Sequence, residues 1–227
     1  MQASPKLIFG YWDIRGLGQS IRYLLEYLNV PYEEIQYIYG GAPDFSKAAW
    51  FSVKHTLGFD LPNIPYIIDD GFQLTESHAI YRYLANKYQP ELLGKTIQDK
   101  AAVDMFMSFV QDIRDGSSVY CYDTGDLDGL QKFGWEKFAQ VAKFLTGKEG
   151  FIAGGLSIAD FILFEHIEMF QYFLSQGDKG ESLIALYPVL GDYHKRFANL
   201  EGIKEYLESD RCIKKYFCGK RAILNNN

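Results

Sequence analysis

Tyr11, Glu76 and Ser77, with Asn63-Ile64-Pro65 between them in the chain, are residue types suited to holding a small anionic peptide and charging a sulfur on it. Ser77 is placed where a helix begins, so its hydroxyl and the adjacent N–H groups suit a carboxylate. Glu76 beside it suits an ammonium, and the two charges on one carbon make an amino-acid head group. A plain capping serine with an acidic neighbour explains these two residues equally well. Pro65 opens a strand, where its missing N–H is tolerated. A trans Ile64–Pro65 bond is expected, since only about 5–6% of X–Pro bonds in folded proteins are cis. A cis bond would turn the Ile64 backbone to a cleft, where an extended peptide could pair with it as an added strand. Tyr11 ends the first apolar run. A cysteine thiol with pKa near ~8.5 is only ~3% thiolate at neutral pH, yet the thiolate is the attacking form. A phenol donating to sulfur favours that form, and the helix start near Gly16 adds positive potential. A shift of ~2 units, roughly 2.7 kcal/mol, makes the thiolate the major species. Tyr11 then acts as a donor and need not be a base; packing is the competing meaning of any one of 17 tyrosines.

The elements that position these residues follow from periodicity. Lys6 to Tyr11 is an apolar run of strand length. A helix opens at Gly16-Leu17-Gly18, with Ile21, Leu24, Leu25 and Leu28 on one face, and Val30-Pro31 ends it. Tyr32 to Ile38 reads as a second strand, parallel to the first because a helix connects them. Pro65 to Asp69 and Phe72 to Thr75 are short strands across a turn at Asp70-Gly71, and Ser77 to Tyr88 is a helix. This order is the thioredoxin-like α/β arrangement, expected over residues 1–88. Residues 89–96 read as a linker and 97–227 as an all-α domain, with helices over Gln98–Tyr120, Leu130–Leu145, Ser157–Leu174, Pro188–Phe197 and Gly202–Leu207. Ser157 and Asp160 have capping-box spacing and are read as structural. Asn225 to Asn227 reads as a frayed tail.

Composition removes several classes. Hydrophobic residues make up 48% and charged residues 23%, so a packed core is expected and wholesale disorder is not. A net charge of −6 argues against a nucleic-acid binder. The basic run Arg211, Lys214, Lys215, Lys220 and Arg221 is read as a solvated tail. No leader and no membrane-spanning apolar run is seen, and Cys121, Cys212 and Cys218 suit free thiols in a reducing cytosol. The four histidines lack ligand spacing, and Asp123, Asp126 and Asp128 lack the terminal glutamate of a calcium loop, so no metal is expected. Thioredoxin-type redox chemistry is excluded, because the first domain has no cysteine.

Gly10-Tyr11-Trp12-Asp13-Ile14-Arg15-Gly16-Leu17 resembles the amino-terminal signature of the cytosolic glutathione transferases. The likeness continues through Leu25-Glu26-Tyr27, Tyr32-Glu33-Glu34, Leu57 to Tyr66 and Thr75-Glu76-Ser77, and resumes at Ser157 to Phe161. Gly40 to Phe45 resembles the extra loop of the mu class. The resemblance implies a dimer that conjugates glutathione, as co-substrate, to small hydrophobic electrophiles, with no tightly bound cofactor.

By the same resemblance Tyr11 activates the thiol, and Trp12 and Leu17 line the glutathione channel, Leu17 through its backbone. Lys47, Trp50 and Lys54 hold the glycine end, Asn63, Ile64 and Pro65 the cysteinyl part, and Glu76 and Ser77 the γ-glutamyl head. Asp112 reaches the same head from a second subunit. Ile14, Gln111, Asp115 and Tyr122 wall the acceptor site, with Phe217 or Cys218 arriving from the tail. Three residues depart from the mu pattern. Lys47 replaces an arginine fork with a point charge, Leu61 replaces an aromatic key at the dimer contact, and Asp115 puts a carboxylate where something less charged is usual, so a wetter or differently shaped pocket is expected. Two alternatives share the fold: a glutathione-dependent isomerase that returns the thiol unchanged, and a non-catalytic binding or structural homologue. The second is opposed by the presence of Tyr11, Lys54, Asn63 and Ser77.

Overall fold

Burial along Leu7–Trp12 (β1) is almost continuous, as in a strand covered on both faces. The computed structural model describes residues 7–148, 150–176 and 182–225. Lys6, expected to open β1, and Asn226 and Asn227 of the expected tail lie outside these. β1 sits inside a four-stranded sheet of order β2-β1-β3-β4, with β2 at Tyr32–Tyr37, β3 at Tyr66–Asp69 and β4 at Phe72–Thr75. It pairs parallel with β2 and antiparallel with β3. The parallel pair requires a crossover, supplied by α1 at Gly18–Tyr27. β1 runs one residue past Tyr11, because Trp12 still pairs with Tyr37. The helix starts at Gly18, later than the Gly16 expected, since Gly16 turns to φ +43°.

A four-residue helix, α2 at Ala48–Phe51, had no signal in the sequence because one turn carries no period. α3 spans Ser77–Tyr88, and a 3₁₀ turn at Pro90–Leu93 leads to the helical part. α4 runs over Ile97–Val119 and is capped by Thr96, whose Oγ1 accepts the Asp99 N–H at 3.0 Å while Asp99 accepts the Thr96 N–H at 2.9 Å. It passes into a π-helical turn, Tyr120–Thr124. α5 (Leu127–Leu145) starts earlier than Leu130, because Asp126 caps it by accepting the Gly129 N–H at 2.9 Å. That cap uses one acid of the run that faintly resembles a calcium loop. Among the described residues, no group of three or more His, Cys, Asp or Glu is placed to hold a metal.

α6 (Ile158–Ser175) is buried nearly all round and forms the axis of the helical part. α7 (Leu183–Leu186), α8 (Pro188–Ala198) and α9 (Ile203–Glu208) complete it. Asp160, fully buried on the first turn of α6, accepts from the Ser157 N–H at 2.8 Å, the Ser157 hydroxyl at 2.6 Å, the Ile152 N–H at 3.1 Å and the Tyr193 hydroxyl at 2.9 Å. Burial pushes its pKa up to about 6, against the pull of those donors. The sheet part and the helical part meet through aromatic edges: Tyr27 on Phe161 at 5.5 Å and Tyr23 on Phe164 at 5.4 Å. Among the described residues no helix is long and apolar enough to cross a membrane.

Candidate functional site

Tyr11 lies at the C-terminal end of the central strand, and its ring is packed by two glycines. A Cβ on Gly18 would stand 2.4 Å from the ring, and one on Gly16 would stand 2.6 Å from the hydroxyl. The loop turns so that the Leu17 N–H donates to the Tyr11 hydroxyl at 2.9 Å. Burial raises the Tyr11 pKa, and the Leu17 N–H and the charge of Arg114 only partly offset it. The phenol therefore keeps its proton at neutral pH. Its oxygen already accepts, so its O–H is left to donate into the cavity that Tyr11 lines.

The loop is held from below by Arg15. Its guanidinium makes a two-point contact with Glu165 on α6, Nε to Oε1 at 2.9 Å and Nη2 to Oε2 at 2.6 Å. Nη2 also donates to the Tyr23 hydroxyl at 2.8 Å and Nη1 to the Ile213 carbonyl at 2.9 Å. Burial disfavours the charge on Arg15, yet Glu165, Tyr23 and Glu168 together outweigh it and raise the pKa. The chain after α9 roofs the loop: the Arg15 N–H donates to the Tyr216 carbonyl at 3.1 Å and the Gly16 N–H to the Phe217 carbonyl at 3.2 Å. The basic run of this segment stays in solvent at Arg211, Lys214, Lys215 and Arg221, as expected, and Lys220 alone is partly buried. Arg211 forks onto Glu26 at 2.6 and 2.7 Å, and Lys220 pairs with Asp13.

On the peptide side, the Ile64–Pro65 bond is cis, against the statistical expectation. The Ile64 N–H donates to Asn63 Oδ1 at 3.0 Å, and Asn63 Nδ2 donates to Glu76 Oε1 at 2.9 Å. Glu76 has φ +70°, a conformation rare for a residue with a Cβ and found where surrounding structure enforces it. Ser77 is the first residue of α3, buried, and on the cavity wall. Leu17 lines the cavity as well, with its N–H engaged by Tyr11. Trp12 lies outside that lining, its ring on Tyr39 at 4.3 Å. Lys47 occupies the N-cap position of α2 without a side-chain cap bond, and burial together with the charge of Arg221 lowers its pKa. Trp50 is buried and stacked on Tyr66 at 6.0 Å, while Lys54 lies over the Phe51 ring at 5.7 Å. Asp112 is exposed on α4.

Of the residues expected to wall an acceptor site, Ile14, Gln111 and Tyr122 line the cavity together, with Phe217 and Cys218 from the roofing segment. The Tyr122 hydroxyl accepts the Gly219 N–H, which ties the π-helical turn to that segment. Asp115 is not on this wall. It is exposed and accepts from Gln111 Nε2 at 2.7 Å and Arg114 Nη1 at 3.3 Å. The helical period explains this: Gln111, Arg114, Ser117 and Ser118 line the cavity, and Asp115 falls on the next stripe. No carboxylate is thus forced into apolar surroundings at this position. Sequence reasoning passed over Arg114, Tyr81 and His166. Arg114 follows Gln111 at a spacing of three and was recoverable from that. His166 on α6 carried no such signal. Its Nδ1 bonds the Ile162 carbonyl at 2.8 Å, which assigns the proton to Nδ1 and leaves Nε2 as an acceptor. Burial lowers its pKa to about 4, so the ring is neutral.

Comparison with known proteins fits this geometry. The family model for the glutathione S-transferase N-terminal domain matches residues 8–86, and that for the C-terminal domain matches residues 112–210. Glutathione S-transferase Mu 1 of Bos taurus is 36% identical over 224 residues, covering 97% of this chain and 99% of its own. Glutathione S-transferase Mu 2 of Mus musculus is 35% identical over 227 residues, covering 96% and 98%. Among solved structures, the glutathione S-transferase Blo t 8 superposes with a TM-score of 0.82 at 29% identity, covering 95% of this chain and 98% of that one. The Pi-class enzyme of Onchocerca volvulus gives 0.79 at 25%, covering 96% and 99%. With a thioredoxin-like sheet, an all-helical partner layer and a buried tyrosine hydroxyl at their junction, the chain belongs to the glutathione S-transferase family, with relatives of the Mu class along nearly its whole length.

Proposed function

We propose that this transferase conjugates glutathione to small hydrophobic electrophiles and that Tyr11 activates the thiol. One observation carries the reading: the Leu17 N–H fills the accepting side of the Tyr11 oxygen, so the protonated phenol has its O–H to give. Donation to a bound sulfur favours the thiolate, which forms the new carbon–sulfur bond as the leaving group departs or a double bond accepts the electron pair. Tyr11 keeps its proton throughout. Burial strengthens this hydrogen bond by keeping water from competing for it.

The tripeptide is assigned along the rim of the same cavity. Ser77 at the start of α3 takes the γ-glutamyl carboxylate, and Glu76, held by Asn63, takes its ammonium. Ile64 and Pro65 carry the cysteinyl backbone, with Trp12 and Leu17 along the channel. Lys47, Lys54 and the Trp50 indole serve the glycine carboxylate. Ile14, Gln111 and Tyr122 shape the acceptor space. The reading includes a cytosolic homodimer. Leu61, 75% exposed, and the exposed Asp112 are free to meet a second copy, Leu61 as a packing contact and Asp112 toward the γ-glutamyl head across the interface. The test is turnover of glutathione with an aryl halide by wild type and Tyr11→Phe, with the product identified by mass. A glutathione conjugate formed slowly by the variant supports the reading. A glutathione-free isomer, no product, or equal rates from both proteins overturn it.

A further inference from the structure

Arg114 is a cation on the cavity wall that none of the roles above uses. Its side chain is 42% exposed, and among the described residues it has one ion-pair contact, Asp115 at 3.3 Å. Asp115 is itself 62% exposed, so water and salt weaken that pair. The guanidinium nonetheless acts inward. Its charge opposes the burial that raises the pKa of Tyr11 on β1 and Tyr81 on α3 and adds to the burial that lowers that of His166 on α6, three residues that line the cavity from three elements. The other charged group on the lining near it, Glu165, is taken up by the two-point contact with Arg15. His166 is neutral. The cavity therefore pairs apolar walls, among them Val110, Ile162, Met169 and Phe217, with a positive charge that only an exposed neighbour opposes.

We propose that the acceptor half of this site selects electrophiles that carry a carboxylate on an apolar body, with Arg114 reading the carboxylate. The inference rests on the transferase reading above and adds the substrate class. A guanidinium matches a carboxylate through two parallel N–H bonds, and both partners gain where the cavity limits water. Asp115 remains attached by one bond and holds the guanidinium at the cavity mouth. Glutathione's own carboxylates are assigned elsewhere, to Ser77 and to Lys47 with Lys54.

A matched pair of acceptors tests this: 4-chloro-3-nitrobenzoate and its methyl ester. Both react by carbon–sulfur bond formation with loss of chloride, and the thiol proton goes to solvent. They differ in charge away from the reacting carbon. In wild type, Arg114→Lys, Arg114→Gln and Arg114→Glu, the readout is the ratio of kcat/KM for the benzoate to that for the ester. The ratio is expected to fall about tenfold in Arg114→Gln and further in Arg114→Glu, mainly through KM for the benzoate. Arg114→Lys is expected to retain part of it. A ratio constant across the four proteins, both acceptors falling in parallel, or a loss appearing in KM for glutathione overturns the proposal while the transferase reading stands. Conversion of neither acceptor by wild type overturns the transferase reading and the proposal with it.

Discussion

The backbone N–H of Leu17 donates to the hydroxyl of Tyr11 at 2.9 Å, joining the first residue before α1 to the end of β1. This bond sets the direction of the phenol. An oxygen that accepts from the protein gives its own hydrogen elsewhere, and the ring lines the cavity that elsewhere means. Burial keeps the phenol protonated. On the reading proposed above, Tyr11 acts as a donor rather than as a tyrosinate base.

Removing that hydroxyl should cost rate without unfolding the protein. For Tyr11→Phe we expect kcat/KM to fall 10–100-fold, roughly 1.4–2.8 kcal/mol. The pKa of the bound thiol, read from thiolate absorbance, should rise by one to two units or so. Loss of rate at an unchanged thiol pKa would move Tyr11 from activating the sulfur to some other task.

Gly18 tests the space around the same ring. A helix start ordinarily gains from alanine, by up to about 1 kcal/mol relative to glycine. Here the new Cβ would lie 2.4 Å from Tyr11 Cδ1, so the ring must move. Gly18→Ala should lower kcat/KM at least about tenfold and raise the bound-thiol pKa, as a displaced hydroxyl requires. Wild-type kinetics in this variant would mean that the ring position is not critical.

Much of this arrangement was legible in the sequence, and the reason is local. β1, α1, β4 and α3 follow from periods and turn residues, and their junctions place Tyr11 and Ser77. What escaped depends on distant partners. The reach of Arg15 to Glu165 spans 150 positions, and no pattern near either residue announces it. The roof formed by Tyr216 and Phe217 is irregular chain with no period to read, and its pairing of Arg211 with Glu26 and Lys220 with Asp13 spans far more of the chain than any local pattern. Asp115 was misplaced by one helical stripe. Family position suggested a wall, and the i,i+4 spacing from Gln111 allowed it; only the structure shows that the cavity sits on the side of Arg114, Ser117 and Ser118.

Arg15 and Glu165 should be needed as a pair. Both are nearly fully buried. Glu165→Gln leaves the guanidinium with only the more distant Glu168, at 3.9 Å, as counter-charge, and breaking one side of a buried pair costs about 3–5 kcal/mol. The midpoint of urea unfolding should drop accordingly, and the loop carrying Leu17 should loosen with it. Exchanging both residues for apolar ones, as in Arg15→Met with Glu165→Leu, should recover part of the stability, because no charge is then stranded. A Glu165→Gln protein as stable as wild type would show that the pair is not holding the loop.

His166 should make the protein acid-sensitive over a defined window. The unfolded chain takes up a proton near 6.5, whereas the buried ring does so only near about 4. Between those values the unfolded state binds more protons, so stability rises with pH there. The contribution is fully present above 6.5 and is lost as pH falls toward 4, by ~3 kcal/mol for a difference of about 2.5 units. Asp160 works in the opposite sense. Its carboxyl, pushed up to about 6 from 3.8, favours the folded state as the solution is acidified through that range. The wild-type profile is therefore flatter than either group alone would make it. The difference in unfolding free energy between His166→Leu and wild type cancels Asp160 and isolates the histidine. We expect it to move in the variant's favour by ~3 kcal/mol between pH 7 and pH 4, the span of the two proton affinities. A difference that stays constant across that range would mean that the folded ring takes up its proton where the unfolded chain does, near 6.5, and below that pH the cavity would hold a second positive charge beside Arg114.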